Sequence, residues 1–340
     1  MQKESTLVIK AVALGVLATL FLSLTFISNS ILATPANNWA WTSALRFLLL
    51  LPILGGMLAT NRKLKPLLQV MRETPGVWMR WGSLGFGVFY ALLTYASLLA
   101  PGWLVAATFQ TTILAGLLIS PLVYKDHRAK VPQKALLLSS LIVSVIMVMQ
   151  VDRLRGLHSG TGVLISFALA LTAAFLWPLG NRKLLLELEN KNINLNAMQR
   201  VLGMSLGSLP VLLALGAYGF YTSGLPSNGQ LLGSLTTALG SGIVGGVLFY
   251  KAFQMVKHNP VALAAVEATQ VVSILFTLLG EMLFKGAHWP GFYGSIGLMI
   301  ILLGLSCHFV VSIRHSRKLE KLVREQFSLS GSNELNHTTA

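Results

Sequence analysis

The chain has few acidic residues, a single cysteine and little charge of either sign. It contains 11 Asp and Glu against 26 Lys and Arg, and charged residues make up 11% of its 340 residues, against about 25% in soluble domains. The single cysteine, Cys307, excludes an intramolecular disulfide and a metal site built from several thiolates. The sequence also lacks the Gly-x-x-x-x-Gly-Lys-Ser/Thr loop that binds ATP and the His-Glu-x-x-His zinc motif. We therefore expect no cofactor and no metal centre.

Long apolar runs take up the length instead, since hydrophobic residues make up 54% of the chain. A hydrocarbon core about 30 Å thick is crossed by a helix of roughly 20 apolar residues. Ten runs of about this length are present, numbered one to ten in chain order: 8–30, 40–60, 81–99, 103–124, 135–151, 162–181, 200–221, 230–250, 260–284 and 290–312. They predict an all-α integral membrane protein with ten transmembrane helices.

The basic residues predict the orientation of these spans. If the N-terminus is cytoplasmic and the spans alternate, all but four of the 26 Lys and Arg fall on the cytoplasmic side. The exceptions are Arg46 within span two and Arg153, Arg155 and Lys285 outside. Because cytoplasmic loops of membrane proteins are rich in Lys and Arg, the pattern predicts a multi-pass protein of the cell membrane with both termini cytoplasmic. The net charge of +15 then indicates contact with anionic lipids at that face, not binding to nucleic acid.

The two halves of the chain resemble each other at an offset of roughly 152–160 residues. Asn29 corresponds to Asn181. Three further correspondences follow in the same order: 44–48 with 198–202, 85–90 with 245–250, and 107–110 with 264–267. Because five is odd, a five-span unit followed by its copy sits in the membrane in opposite orientations, as in many secondary transporters. We predict two inverted five-helix repeats, residues 1–151 and 152–312, and a basic cytoplasmic tail, 313–340.

Four landmarks resemble a known family. They are Arg46, the stretch Trp177-Pro178-Leu179-Gly180-Asn181, the run 262–268 (Ala-Leu-Ala-Ala-Val-Glu-Ala) and Leu279-Gly280-Glu281. Together they are similar to the EamA-type, ten-span branch of the drug/metabolite transporter superfamily, and to its multidrug-resistance efflux subset. The resemblance covers about residues 8–312. It implies ten helices and transport of small organic solutes. This chain has Ala268 where a proline commonly follows the glutamate, which removes the usual cause of a helix distortion in span nine.

Glu267 is the strongest candidate for coupling transport to protons. An ionisable group inside a span costs roughly 2.5–3.5 kcal/mol on insertion scales, so it needs a partner, a water-filled cavity or a function. Thr269 and Gln270 follow it in span nine, and Gln110 and Thr111 lie in span four. We expect these two spans, the most polar of the ten, to line a central cavity. The alternative for Glu267 is a structural hydrogen bond, or a salt bridge to one of three cations near the same face: Lys251, Lys257 or Arg200.

Two further groups of residues are predicted to serve the site. Arg46 and Glu281 both lie within about two turns of the outer face, where they are expected to pair; the pair would be either structural or an outer gate. Each could instead reach the headgroups alone by snorkelling. Four aromatic residues are candidates for a cavity wall that stacks on a flat or cationic ligand, namely Tyr90, Tyr95, Trp103 and Tyr250.

The function predicted from these patterns is secondary active transport by alternating access, with protons exchanged for a small organic metabolite or drug. A membrane scaffold or assembly protein fits the composition equally well but leaves Glu267 unexplained. An intramembrane enzyme would need a nucleophile with a base. Cys307 and His308 are adjacent, but consecutive residues on a helix point in different directions. We therefore do not expect an enzyme.

Overall fold

The computed structural model describes residues 3–125, 129, 137, 140–141, 143–150, 160–256 and 260–304. Predicted spans five and ten are described only in part. The predicted tail 313–340 and the pair Cys307 and His308 lie outside the described residues, as does Lys257.

The described part of the chain is helical and contains no strand. Seven of its helices are long and apolar enough to cross a membrane: Thr6–Leu32, Trp39–Thr60, Pro75–Leu99, Gly102–Val123, Thr161–Asn190, Asn228–Val256 and Ala265–Lys285. An eighth is formed if Ala197–Gly207 and Leu209–Ser223, bent by 52°, count as one span, and a shorter apolar helix covers Phe292–Gly304. The prediction of an all-α membrane protein is confirmed, whereas the count of ten spans and their inverted repeat stay predictions.

Short hydrogen bonds tie helix ends together at two faces of the bundle. At one face, Asn38 Nδ2 at the start of span two donates to Thr222 Oγ1 at the end of span seven, 2.8 Å away. Trp41 Nε1 donates to the carbonyl of Gly224 at 2.9 Å. At the other face, Gln199 Nε2 near the start of span seven donates to the carbonyl of Lys63, just after span two, at 2.9 Å. Spans two and seven therefore run antiparallel along most of their length.

Spans three and eight share one irregularity. Span three is π-helical over Ser83–Val88, and span eight is π-helical over Thr237–Gly245. Such segments are rare and usually occur at functional sites. The two segments lie in spans that the predicted repeat pairs, and their positions overlap only in part under that pairing.

Spans four and nine share another irregularity. In span four, the helix Gly102–Phe109 ends before Gln110 and a second helix, Thr112–Val123, follows. In span nine, a 3₁₀ turn over Thr269–Val272 separates Pro260–Ala268 from Ser273–Lys285. Gln110 and Gln270 thus stand at equivalent breaks, 160 residues apart. The predicted repeat instead pairs Gln110 with Glu267, three residues before Gln270.

A threonine hydroxyl bonds to a carbonyl of its own helix at each of these breaks. Thr111 Oγ1 donates to the carbonyl of Thr108 at 2.8 Å, and Thr269 Oγ1 donates to the carbonyl of Val266 at 2.6 Å. A side chain that takes a carbonyl three residues earlier competes with the helical hydrogen bond and bends the helix. Span nine is therefore distorted without the proline that Ala268 replaces.

Glycines bring span three into backbone contact with spans six and seven. A Cβ on Gly180 would stand 2.6 Å from the Cα of Gly85, and one on Gly82 would stand 2.6 Å from the carbonyl oxygen of Met204. Small residues allow membrane helices to approach this closely. These contacts fix the wall of the bundle from which Phe89 and Trp177 point inward.

Candidate functional site

A cavity of about 270 Å³ lies between helices of both predicted halves. Spans one, two, three and four form one part of its wall, and spans six, eight and nine form the other. Its polar lining residues are Thr19, Thr25, Arg46, Gln110, Ser241, Gln270 and Ser273. Its apolar lining residues are Leu22, Phe26, Phe89, Leu93, Phe109, Trp177, Gly246 and Phe249.

Gln110 joins spans four and nine at this cavity. Its side chain is buried, and Nε2 donates to the Ser273 hydroxyl at 3.0 Å and to the carbonyl of Gln270 at 3.3 Å. The carbonyl of Gln270 is accessible to a side chain because the 3₁₀ turn changes the helical hydrogen bonding there. Spans four and nine thus come together as expected, and Gln110 and Gln270 line the cavity.

Thr111 and Thr269 have a different position from the one predicted. Both are fully buried and neither lines the cavity, since their hydroxyls bond to carbonyls of their own helices. Thr269 Oγ1 also lies 3.5 Å from Thr19 Oγ1 in span one. They shape the breaks that present Gln110 and Gln270, and this indirect role is what the structure supports.

Arg46 projects into the cavity from span two. Its guanidinium carbon lies 4.3 Å from the centroid of the Tyr90 ring, and one terminal nitrogen donates to the Ser241 hydroxyl at 3.4 Å. Its Nε is buried and has no hydrogen-bond partner. A desolvated cation–π contact contributes about 2 kcal/mol, which offsets much of the cost of placing this cation in a span.

Glu281 is held elsewhere, so the predicted pair with Arg46 is not formed in this structure. Its carboxylate is 2% exposed and accepts hydrogen bonds from the backbone N–H of Gly102 at 2.8 Å and of Trp103 at 2.9 Å. The Ser30 hydroxyl donates to the same carboxylate, and Lys285 Nζ donates to the Ser30 carbonyl at 2.9 Å. A carboxylate at a helix N-terminus satisfies free N–H groups and the helix dipole. Glu281 therefore links the ends of spans one, four and nine at one face.

Glu267 lies outside the cavity wall and is exposed. It stands three residues before Gln270, a rise of about 4.5 Å along the helix. The nearby charge acting on it is Arg182 of span six, not one of the three cations proposed from the sequence. Arg182 itself donates to the carbonyl of Gly116 in span four at 2.6 Å. Glu267 thus lies near the contact between spans four and six. It stands beyond the polar end of the cavity, which is formed by Gln110, Gln270 and Ser273.

None of the four predicted aromatic residues lines the cavity directly. Tyr90 is buried beneath Arg46 and donates to Asn29 Oδ1 at 2.7 Å. Trp103 is buried at the Glu281 junction, and Tyr95 packs edge-on against Trp39 with centroids 5.0 Å apart. Tyr250 lies in a separate groove beside Arg200. Tyr90 therefore makes a cation–π contact with Arg46, in place of the contact with a ligand that was expected.

The aromatic wall is made of residues that the sequence analysis passed over. Phe89, Phe109 and Trp177 line the cavity and touch in series, with centroids 5.8 Å apart for the first pair and 6.3 Å for the second. Trp177 belongs to the Trp-to-Asn landmark in span six. In a sequence where apolar residues fill every span, no signal separates cavity-facing phenylalanines from those that pack or face lipid.

Comparison with known proteins gives one family. The family model EmrE, described as "Putative multidrug resistance efflux transporter", matches residues 9–314. A relative from Bacillus subtilis (strain 168), "Uncharacterized protein YjlA", is 40% identical over 312 residues, covering 89% of this chain and 95% of the relative. A protein of Shouchella clausii, "Uncharacterized 42.1 kDa protein in intracellular alkaline protease 3'region", is 38% identical over 269 residues, covering 77% of this chain and 70% of that protein.

A solved structure supports the fold alone. It is a crystal structure of a protein 16% identical to this chain, with a TM-score of 0.57, and the match covers 92% of this chain and 99% of that one. The likeness therefore extends over nearly the whole of both chains and carries no information on substrate.

Proposed function

The chain belongs to the EmrE family of multidrug resistance efflux transporters, and we propose that it exports a small organic molecule in exchange for protons by alternating access. Members of this family are membrane transporters, not enzymes, and the resemblance to the drug/metabolite transporter superfamily is confirmed. The EamA-type assignment within that superfamily is part of the proposal. A membrane scaffold or assembly protein, the alternative left open by the sequence, would not explain why the chain belongs to a transporter family.

The observation that carries the proposal is the cavity between the two predicted halves. It is lined from both halves and closed along one side by the broken helices of spans four and nine. Broken helices at a repeat interface are the usual construction of substrate sites in secondary transporters. A rocking movement of one half against the other would expose such a cavity to each membrane face in turn.

Glu281 supports a gate at the face where spans one, four and nine end. Its carboxylate must leave the N–H groups of Gly102 and Trp103 before these ends can separate. We propose that this junction, without Arg46, forms the closed outer gate. We also propose, from the distribution of Lys and Arg, that the basic loops lie at the cytoplasmic face against anionic lipids.

Glu267 is the proposed proton carrier. It lies one turn beyond Gln270, next to Arg182 and away from the cavity wall. A proton taken up there would weaken the attraction to Arg182, which bridges to Gly116 of span four. Protonation would thus loosen contacts among the three helices that bound the polar end of the cavity.

Transport by the purified protein in liposomes tests this proposal. We expect efflux driven by a pH gradient for the wild type, with the gradient dependence lost in Glu267→Gln while gradient-free exchange persists. Glu187→Gln, a carboxyl at the end of span six, serves as the matched control and should transport like the wild type. Flux that follows the gradient equally in Glu267→Gln would overturn the coupling role.

A further inference from the structure

Among the described residues that line the cavity, no acidic side chain balances the positive charge of Arg46. Arg46 is the single charged residue among the described residues that line it. A guanidinium has five N–H donors, and those of Arg46 make one long hydrogen bond, 3.4 Å to Ser241, while Nε has no partner. The Tyr90 ring covers one face of the guanidinium, and most of the N–H donors on its edge stay available to a ligand.

The two carboxyls predicted to serve the site, Glu281 and Glu267, both interact elsewhere. The Glu281 carboxylate accepts hydrogen bonds from Gly102, Trp103 and Ser30 at one face of the bundle. Glu267 lies outside the cavity wall beside Arg182. A cationic ligand in the cavity would therefore meet a positive charge and no carboxylate.

The rest of the wall suits a flat apolar body. Phe89, Phe109 and Trp177 present consecutive ring surfaces, while Gln110, Gln270 and Ser273 supply neutral polar groups. At about 270 Å³ the cavity is slightly below the range of roughly 300–1,000 Å³ typical of ligand sites, which favours a compact ligand.

We propose that this cavity binds a small aromatic carboxylate, with the carboxylate on the free edge of Arg46 and the ring against Phe89, Phe109 and Trp177. The inference rests on the proposed function, because it takes this cavity to be the substrate site. Arginine binds carboxylates through two parallel charge-assisted hydrogen bonds. The protein would thus select an organic anion over the cation of the same shape.

Equilibrium binding to the purified protein in detergent tests the charge preference. Three probes share one ring system: 2-naphthoate, 2-naphthamide and 2-naphthylmethylammonium. We expect 2-naphthoate to bind at least tenfold more tightly than the amide, and the ammonium no better than the amide. Tightest binding of the ammonium would overturn the proposal.

Variants then assign the preference to one residue. Arg46→Gln should weaken 2-naphthoate binding by about 10- to 100-fold, the worth of a charge-assisted hydrogen bond, and leave the amide nearly unchanged. Arg46→Lys keeps the charge and should retain part of the preference, which guards against a folding defect in the first variant. Arg80→Gln, an exposed arginine outside the cavity, should bind like the wild type. A preference for the anion that survives in Arg46→Gln would overturn the proposal.

Flux measurements separate this inference from the proposed function. If 2-naphthoate binds through Arg46 but liposomes show no flux of any probe, the transport proposal fails and the binding site stands. If the ammonium probe is transported with equal rates by the wild type and Arg46→Gln, transport stands and the anion site fails.

Discussion

At the scale of single residues, the two carboxyls in the membrane have opposite surroundings. Glu281 is enclosed by N–H and O–H donors, while Glu267 is exposed beside one arginine. Hydrogen bonds to a charged group contribute about 1.5–3 kcal/mol each, and losing one partner of a buried set leaves the others unsatisfied. The first carboxyl therefore stabilises the junction, whereas the second is the proposed proton carrier.

We expect Glu281→Ala to lower the unfolding temperature of the detergent-solubilised protein strongly, because it strands the N–H groups of Gly102 and Trp103. Glu281→Gln, which keeps an acceptor oxygen, should cost about half as much. Glu73→Gln is the control, since that side chain is exposed at the end of a short helix. Tryptophan fluorescence during heating measures all three, and equal unfolding temperatures would contradict the junction described above.

A second residue-scale prediction concerns Gly246, which lines the cavity and has no atom within 4 Å of an added Cβ. Gly246→Leu should place a side chain in the cavity and abolish transport while the protein stays folded. Gly56→Leu makes the same change where an added Cβ also meets nothing within 4 Å, but on an exposed face outside the cavity. It should transport normally. Flux in proteoliposomes compares the two variants, and the yield of monodisperse protein shows whether each of them is folded.

At the scale of helices, the sequence predicted where spans lie but not where they break. Hydropathy predicts apolar runs of membrane-crossing length because the bilayer thickness imposes that length, and seven helices of the described residues meet it. At the breaks beside Gln110 and Gln270, Thr111 and Thr269 donate to carbonyls three residues earlier, but Ser23 makes the same kind of bond within the unbroken helix Lys3–Leu32. Such a residue therefore does not predict a break from the sequence. The two expected glutamines therefore line the cavity. The hydroxyls of Thr111 and Thr269 bond instead to carbonyls of their own helices.

Helix packing gives the third prediction. Gly180→Ala should destabilise the protein by about 1–3 kcal/mol, the usual cost of overpacking, because its Cβ would meet the backbone of Gly85 at 2.6 Å. Gly56→Ala should leave stability unchanged or raise it slightly, since alanine favours the helix. Thermal unfolding compares the two variants. A stable Gly180→Ala protein would mean that spans three and six lie farther apart.

At the scale of the whole molecule, the charge pattern and the hydrogen bonds between helix ends agree on which ends share a face. Asn38 and Thr222 meet at the face predicted to be external, and Lys63 and Gln199 meet at the face predicted to be cytoplasmic. Contacts within the protein cannot show which face is which, because no membrane potential or lipid asymmetry acts on them. The prediction of the absolute orientation therefore rests on the basic loops alone.

Cysteine labelling in whole cells checks that orientation. The background is Cys307→Ser, which removes the single natural thiol, and single cysteines replace Asn37, Ser227, Lys65 or Asn192. The first two positions lie in loops joined by the hydrogen bond from Ser227 to Asn37, and the last two follow spans two and six. A membrane-impermeant maleimide should label the first pair in intact cells and the second pair only after permeabilisation. Because each half contributes one residue to each face, labelling of Asn37 without Ser227 would contradict the antiparallel arrangement. The reverse pattern at all four positions would instead invert the molecule and place its basic loops outside.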